Sequence, residues 1–251
     1  MKTLKLAVCL DAAAKDHPAE LVGLAQTAAH AGADILALTV RPAYRLETKT
    51  LMAIKDELDK REKPLMLLGS SDWGFSGLLR EVKPALAVLV PDDAAQTETD
   101  HGFDLMDDKV VDEVHAKTTG AKVAGCRVLL TIDPDPDLLD VVKDAEASGA
   151  ALLALGWEAA AETPIAEDIL LAYQDSAAAG SDMDVALMAG LTLKNAYPVL
   201  AKCPPVDTAV FAAPAESSTP EALASFVREA AAIVERVNAL RSRTEVLDED
   251  R

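Results

Sequence analysis

Arg41 and Arg45 stand in "LTVRPAYRLE" (38–47), just past an apolar, β-branched run. A guanidinium offers its donors in a planar fork that fits a carboxylate or phosphate two bonds at a time, so a pair at a strand end could clamp an anion. In a chain of formal net charge -18, carboxylates of neighbouring loops could equally take both arginines as internal ion pairs. The residues leave both readings open. Carboxylates recur at comparable places: Asp11, Asp92, Asp133 and Glu158 each close an apolar run. Four such groups on one rim could ligate a divalent cation through oxygen. A strand-end Asp more often caps the following helix, and no metal is expected. Of the 4 histidines, His30 and His115 fall in helical patterns as surface residues, while His17 and His101 fall in loops. No Ser-His-Asp or Cys-His signature is present. Cys9, Cys126 and Cys203 have no ligand-like spacing, so neither disulfides nor structural zinc are expected. Cys9 reads as a small core residue.

The elements that must position these residues are legible as eight short apolar runs: "LKLAVCL", "ADILALTV", "PLMLLGS", "LAVLVP", "RVLLTID", "ALLALGW", "DVALMAG" and "TAVFAAP". Each is nearly continuous rather than alternating, as in parallel strands buried on both faces. Helical spacing fills the intervals, as in "PAELVGLAQTAAHAG", "LETKTLMAIKDELDK", "PDLLDVVKDAEASG" and "TPEALASFVREAAAIVERVNALR". Thr219 before Pro220 reads as a helix cap followed by the first helical residue, and Gly32 and Gly149 read as helix stops. Eight such units in 251 residues fit a single α/β domain, a (β/α)8 TIM barrel, better than the alternative doubly wound sheet. The barrel is expected over 1–242, a long polar loop over about 92–108, and a charged, frayed tail over 243–251.

The composition limits the partners. Half of the residues are hydrophobic and 4% aromatic, which favours helices on a buried sheet. The acidic surface repels nucleic acid and anionic membranes. No segment reaches the roughly 18 apolar residues of a membrane span. The first apolar run ends at Asp11, too early for a signal peptide. A soluble, cytoplasmic protein is expected.

In such a barrel the site lies at the carboxyl ends of the strands. This directs attention to Asp11, Arg41, Arg45, Ser70, Asp92, Glu98, Thr99, Asp133, Glu158, Lys194 and Glu216. Phosphate in these barrels commonly sits on the seventh and eighth loops. The seventh, "AGLTLKN", offers Gly190 and the cationic Lys194; the eighth, "FAAPAESST", is disfavoured by Pro214, which lacks an N–H, and by Glu216.

The stretches "AGADILALTVR" (31–41), "VKPALAVLVPD" (82–92), "TIDPD" (131–135) and "GLTLKN" (190–195) resemble the pyridoxine 5′-phosphate synthase family of vitamin B6 biosynthesis. There the corresponding stretches read like A-G-A-D-x-I-T-V-H-L-R, x-K-P-x-x-x-x-L-V-P-E, F-I-D-A-D and G-L-T-Y-x-N. The resemblance runs over nearly the whole chain. It implies a (β/α)8 barrel, a phosphorylated sugar held at Arg41 and a homo-oligomer, and no cofactor is expected. The family's chemical residues differ here. Its strand-two pair of histidines falls on Thr39 and Leu46, its strand-three glutamate base on Met66, its strand-six glutamate on Ala154, and its strand-seven histidine on Ala189. A Gly-His pair of strand eight falls on Phe211 and Ala212, and a substrate-binding Thr on Glu98, beside Thr99. Each lost general acid or base typically removes about 10²–10⁴ in rate, so the resemblance carries the fold further than the reaction.

Three functions follow from this. One is a divergent relative that binds a small anionic or phosphorylated metabolite at the mouth through Asp11, Arg41, Arg45, Glu98, Thr99, Asp133 and Lys194, with Asp11, Glu98 or Asp133 as acid or base. The second is a non-enzymatic paralogue serving as an assembly or regulatory partner. The third is an authentic synthase with a rebuilt site. Filling of the mouth by Leu46, Met66, Met188 and Phe211 would favour the second, and these replacements incline the expectation toward a narrowed, apolar mouth.

Overall fold

A computed structural model describes residues 3–15, 18–42, 46–70, 74–91, 101–105, 107–132, 152–155, 184–188 and 190–249. All eight apolar runs form strands: β1 (Lys5–Cys9), β2 (Ile35–Thr39), β3 (Leu65–Gly69), β4 (Leu86–Leu89), β5 (Arg127–Ile132), β6 (Leu152–Leu155), β7 (Asp184–Leu187) and β8 (Val206–Ala212). Every strand pairs in parallel with its sequence neighbour, and β1 pairs with β8, so the sheet closes into a barrel. The described helices are α1 (Asp11–Ala14), α2 (Leu21–Ala31), α3 (Thr48–Asp59), α4 (Phe75–Val82), α5 (Asp108–Val123), α6 (Ala196–Lys202) and α7 (Pro220–Glu249).

Alternation along the strands divides the core into two layers. Residues such as Ala7, Ala37, Met66, Leu68, Val88, Leu129, Met188 and Val210 fill the barrel interior. Leu6, Val8, Leu36, Leu67, Leu130 and Phe211 point outward into a larger core beneath the helices. Both faces are therefore apolar, which is why the runs read as continuous. The helices bury matching stripes: Leu51, Ile54 and Leu58 on α3, and Phe75, Leu79 and Val82 on α4, at the spacing of one helical face.

Closure depends on contacts between distant parts of the chain. Asn238 of α7 accepts from the Leu4 amide at 2.8 Å and donates to the Leu4 carbonyl at 3.0 Å. Arg241, also on α7, donates to the carbonyls of Val206 at 2.7 Å and Cys203 at 3.0 Å. The turn from α6 into β8 is thus tied to the last helix. Gly32 ends α2 at φ 121°, a stop that non-glycine residues rarely adopt. At the start of α7 the Ala222 amide donates to the Thr219 hydroxyl at 3.3 Å. The backbone of α7 stays helical to Glu249, through most of the stretch expected as a frayed tail. No glycine or proline follows Pro220 to stop it, and Glu, Leu and Arg are good helix formers. The expected stop at Gly149 and helix "PDLLDVVKDAEASG" lie outside the described residues.

Candidate functional site

Strands β1 and β2 end side by side, with Cys9 paired to Ala37. Just beyond, Asp11 turns back, and its Oδ1 accepts from the Thr39 amide at 2.8 Å. A strand-end carboxylate is here used to anchor the next strand as well as to open α1. Arg41 follows two residues later and is only 6% exposed. Cys9, Asp11, Thr39 and Arg41 therefore share one corner of the mouth.

The electrostatics of this corner are unfavourable for a carboxylate. Part of Asp11 reaches solvent, yet its carboxyl sits among packed atoms, and loss of hydration pushes its pKa up. Hydrogen bonds from Thr39 and Cys9 and the nearby Arg41 charge oppose this without cancelling it. The Cys9 thiol is pushed well up, first by burial and then by the Asp11 charge. Burial thus favours the neutral form of both groups, which suits a thiol in a core but works against an ionised carboxylate. The Arg41 charge acts on both groups, lowering each pKa in part, from a buried position at the end of β2.

The remaining candidates divide into two sets. Arg45, Glu98, Thr99 and Asp133 lie outside the described residues, as do His17, Asp92, Glu158 and Ala189. Lys194 is exposed on the loop before α6. That loop has a role that a search for charged residues misses. Gly190 has φ 66°, and the buried Asn195 clips the turn: its Oδ1 accepts from the Thr192 amide at 2.7 Å, and its Nδ2 donates to the Gly190 carbonyl at 2.8 Å. The Asn195 amide donates in return to the Thr192 hydroxyl at 3.3 Å. The Thr-x-x-Asn spacing was the available signal, since both residue types favour such local bonds.

The four side chains expected to fill the mouth do not act together. Met66 and Met188 lie in the barrel interior. Phe211 points outward and is fully buried beneath the helices, and Leu46 packs against that same outer layer. Strand alternation takes Phe211 out of the set that could fill the mouth: Val210 faces inward, so its neighbour Phe211 cannot. The upper interior is lined instead by Cys9, Leu68, Val90, Met188 and the buried Thr131, whose hydroxyl donates to the Leu89 carbonyl at 3.0 Å.

A cavity of about 370 Å³ opens at the other end of the barrel, among Lys5, Pro64, Met66, Arg127, Asp184 and Asp207. These residues lie at or within one residue of the starts of their strands. Arg127 pairs with Asp184, and the Asp207 carboxylate accepts from the Val185 amide and the Thr208 hydroxyl, both at 3.0 Å. Polar groups satisfied in this way at the amino end of the strands serve stability. Among the described residues no cluster of three or more His, Cys, Asp or Glu is arranged to hold a metal ion, and no helix is long and apolar enough to cross a membrane.

Comparison with known proteins bears on this geometry. Pyridoxine 5′-phosphate synthase of Rhizobium meliloti is 33% identical over 155 residues, which cover 57% of this chain and 61% of that protein. The enzyme of the same name from Caulobacter vibrioides (strain NA1000 / CB15N) is 29% identical over 178 residues, 68% of each chain. The chain thus spans about three fifths of the length of the Rhizobium relative. Tryptophan synthase from Mycobacterium tuberculosis superposes with a TM-score of 0.64 at 13% identity, covering 92% of this chain and 93% of that one. A 3-hexulose-6-phosphate synthase gives 0.56 at 16% identity, covering 91% and 99%. At such identities these two likenesses are of fold alone. The description of the pyridoxal phosphate biosynthesis protein PdxJ matches residues 5–209, from the first strand into the eighth, and the chain belongs to that family.

Proposed function

We propose that this barrel binds a small phosphorylated or otherwise anionic metabolite at its mouth, with Arg41 as the principal cation, and does not run the family reaction with the family's residues. The observation that carries the reading is the corner of Arg41 and Asp11. A buried guanidinium stands at the end of β2 beside a carboxyl that burial holds toward its protonated form. Such a charge arrangement opposes stability and is characteristic of sites rather than cores. An anion seated on Arg41 would raise the Asp11 pKa further, since like charges disfavour each other. Asp11 is then the group placed to give or take a proton. Arg45, Glu98, Thr99, Asp133 and Lys194 complete the proposed set from the neighbouring loops. By family likeness, the protein is a cytoplasmic homo-oligomer with its barrel over 1–242.

Met66, in the interior where the resemblance puts a glutamate base, favours a second reading, a non-enzymatic paralogue kept for its surface. A thermal-shift titration with inorganic phosphate and a panel of sugar and triose phosphates, repeated on Arg41→Ala, separates the two. Saturable stabilisation that disappears in the variant supports the anion site. A well-folded protein that responds to none of them overturns it and leaves the surface reading.

A further inference from the structure

Strand β3 carries a polar group that neither packing nor the corner at β1 and β2 uses. Met66 and Leu68 face the barrel interior, while Leu65 and Leu67 face the helices. Gly69 continues the outward set, because the Phe75 ring lies against it: a Cβ there would meet ring atoms at 2.7–2.9 Å. Ser70 therefore takes the inward direction. It is 1% exposed, and its Oγ has no hydrogen-bond partner among the described residues. A buried hydroxyl left in this state costs free energy, so the fold gains nothing from having serine rather than alanine there.

Its position says what the hydroxyl could serve. Thr39 pairs with Leu68 in parallel register, and the Val40 amide donates to the Leu68 carbonyl at 2.8 Å. The same register carried two residues on sets Ser70 beside Arg41, on strands about 4.8 Å apart.

We propose that Ser70 is a ligand-binding residue whose hydroxyl donates to the oxyanion held by Arg41, so that β2 and β3 together form the anion subsite. This rests on the anion-site reading given above. The group recognised is an oxyanion, whether of a phosphoryl group or a carboxylate. The hydroxyl gains its partner only when the ligand is bound, which explains why it stands unpaired without one.

The test compares wild type, Arg41→Ala, Ser70→Ala and Ser70→Thr, titrated by calorimetry with inorganic phosphate and, separately, acetate. Thermal melting of each ligand-free protein is recorded as well. Ser70→Ala is expected to weaken binding about 10-fold or more, the usual effect of losing a hydrogen bond to a charged group. It should leave the melting temperature of the free protein unchanged or raised, and Ser70→Thr should retain affinity. Which anion binds identifies the source of the oxyanion. Wild-type affinity in Ser70→Ala with affinity lost in Arg41→Ala overturns the role of Ser70 and spares the anion site. A lowered melting temperature in Ser70→Ala with unchanged affinity assigns the hydroxyl to the fold and also overturns it. A wild-type protein that binds neither anion overturns the anion site and the role of Ser70 together.

Discussion

Replacing Gly69 by alanine should loosen the attachment of α4 to the barrel, by an amount that the geometry bounds. The added Cβ would lie 2.7 Å from one atom of the Phe75 ring and 2.9 Å from two others, where ordinary contact begins at 3.4 Å. The ring must retreat by about 0.7 Å. It has nowhere to go, because Phe75 is 1% exposed and is the first residue of α4, whose Leu79 and Val82 are buried in the same core. Overpacking of this kind costs about 1–3 kcal/mol. Because three ring atoms are struck rather than the tip of a flexible chain, about 2 kcal/mol or more is expected. At about 2–4 °C per kcal/mol for a chain of this size, that is a fall in Tm of about 4–8 °C. Urea unfolding should show a lower midpoint at unchanged slope. Phe75→Ala, which removes all three of the struck atoms, should relieve the clash, so the double variant should lose less than the two single losses combined, by more than the ~0.5 kcal/mol scatter of independent sites. If Gly69→Ala stays within about 0.5 kcal/mol of wild type, or adds simply to Phe75→Ala, the close approach of ring and strand is wrong.

Two further outcomes follow from polar groups that the fold strips of hydration. Burial raises the Asp11 pKa above its ordinary 3.8, so the folded state binds that proton more tightly than the unfolded chain, and stability falls as pH rises through the interval above 3.8. Asp11→Asn keeps an acceptor for the Thr39 amide without the charge. It should equal or exceed wild type in stability at pH 7, with the difference vanishing as pH falls toward 3.8; a wild type more stable at neutral pH would show that the site favours the carboxylate. Arg241→Met leaves the Val206 and Cys203 carbonyls without their buried donor, and urea unfolding should show a loss of about 2–4 kcal/mol. A loss under about 1 kcal/mol would mean that the cost of burying the guanidinium offsets its bonds.

Much of the architecture was legible. Continuous apolar runs such as "LKLAVCL" and "LAVLVP" identify strands buried on both faces, and Thr219-Pro220 marks where α7 begins. Asp11 and Arg41 were legible as strand-end residues. Their mutual field was not, because it depends on β1 and β2 ending at one level and on the Asp11 carboxyl reaching the Thr39 amide. Phe211 was misjudged because residue type does not say which side of a strand faces the lumen, and shifting the phase by one residue exchanges the two layers. The helical backbone of α7 to Glu249 was not read from the sequence, because charge density drew attention away from the absence of a helix breaker.

The sequence alone therefore determined the class of fold, the order of its strands and the loops that surround the mouth. These depend on local hydrophobic patterning and chain connectivity, which are one-dimensional properties. Only the tertiary structure decided which side chains meet. Closure of β1 on β8, the hold of Asn238 on Leu4, the unpaired Ser70 hydroxyl and the burial that shifts Asp11 arise between residues far apart in the chain. Hydration and field at a group depend on everything packed around it, and that is known only once the barrel has closed.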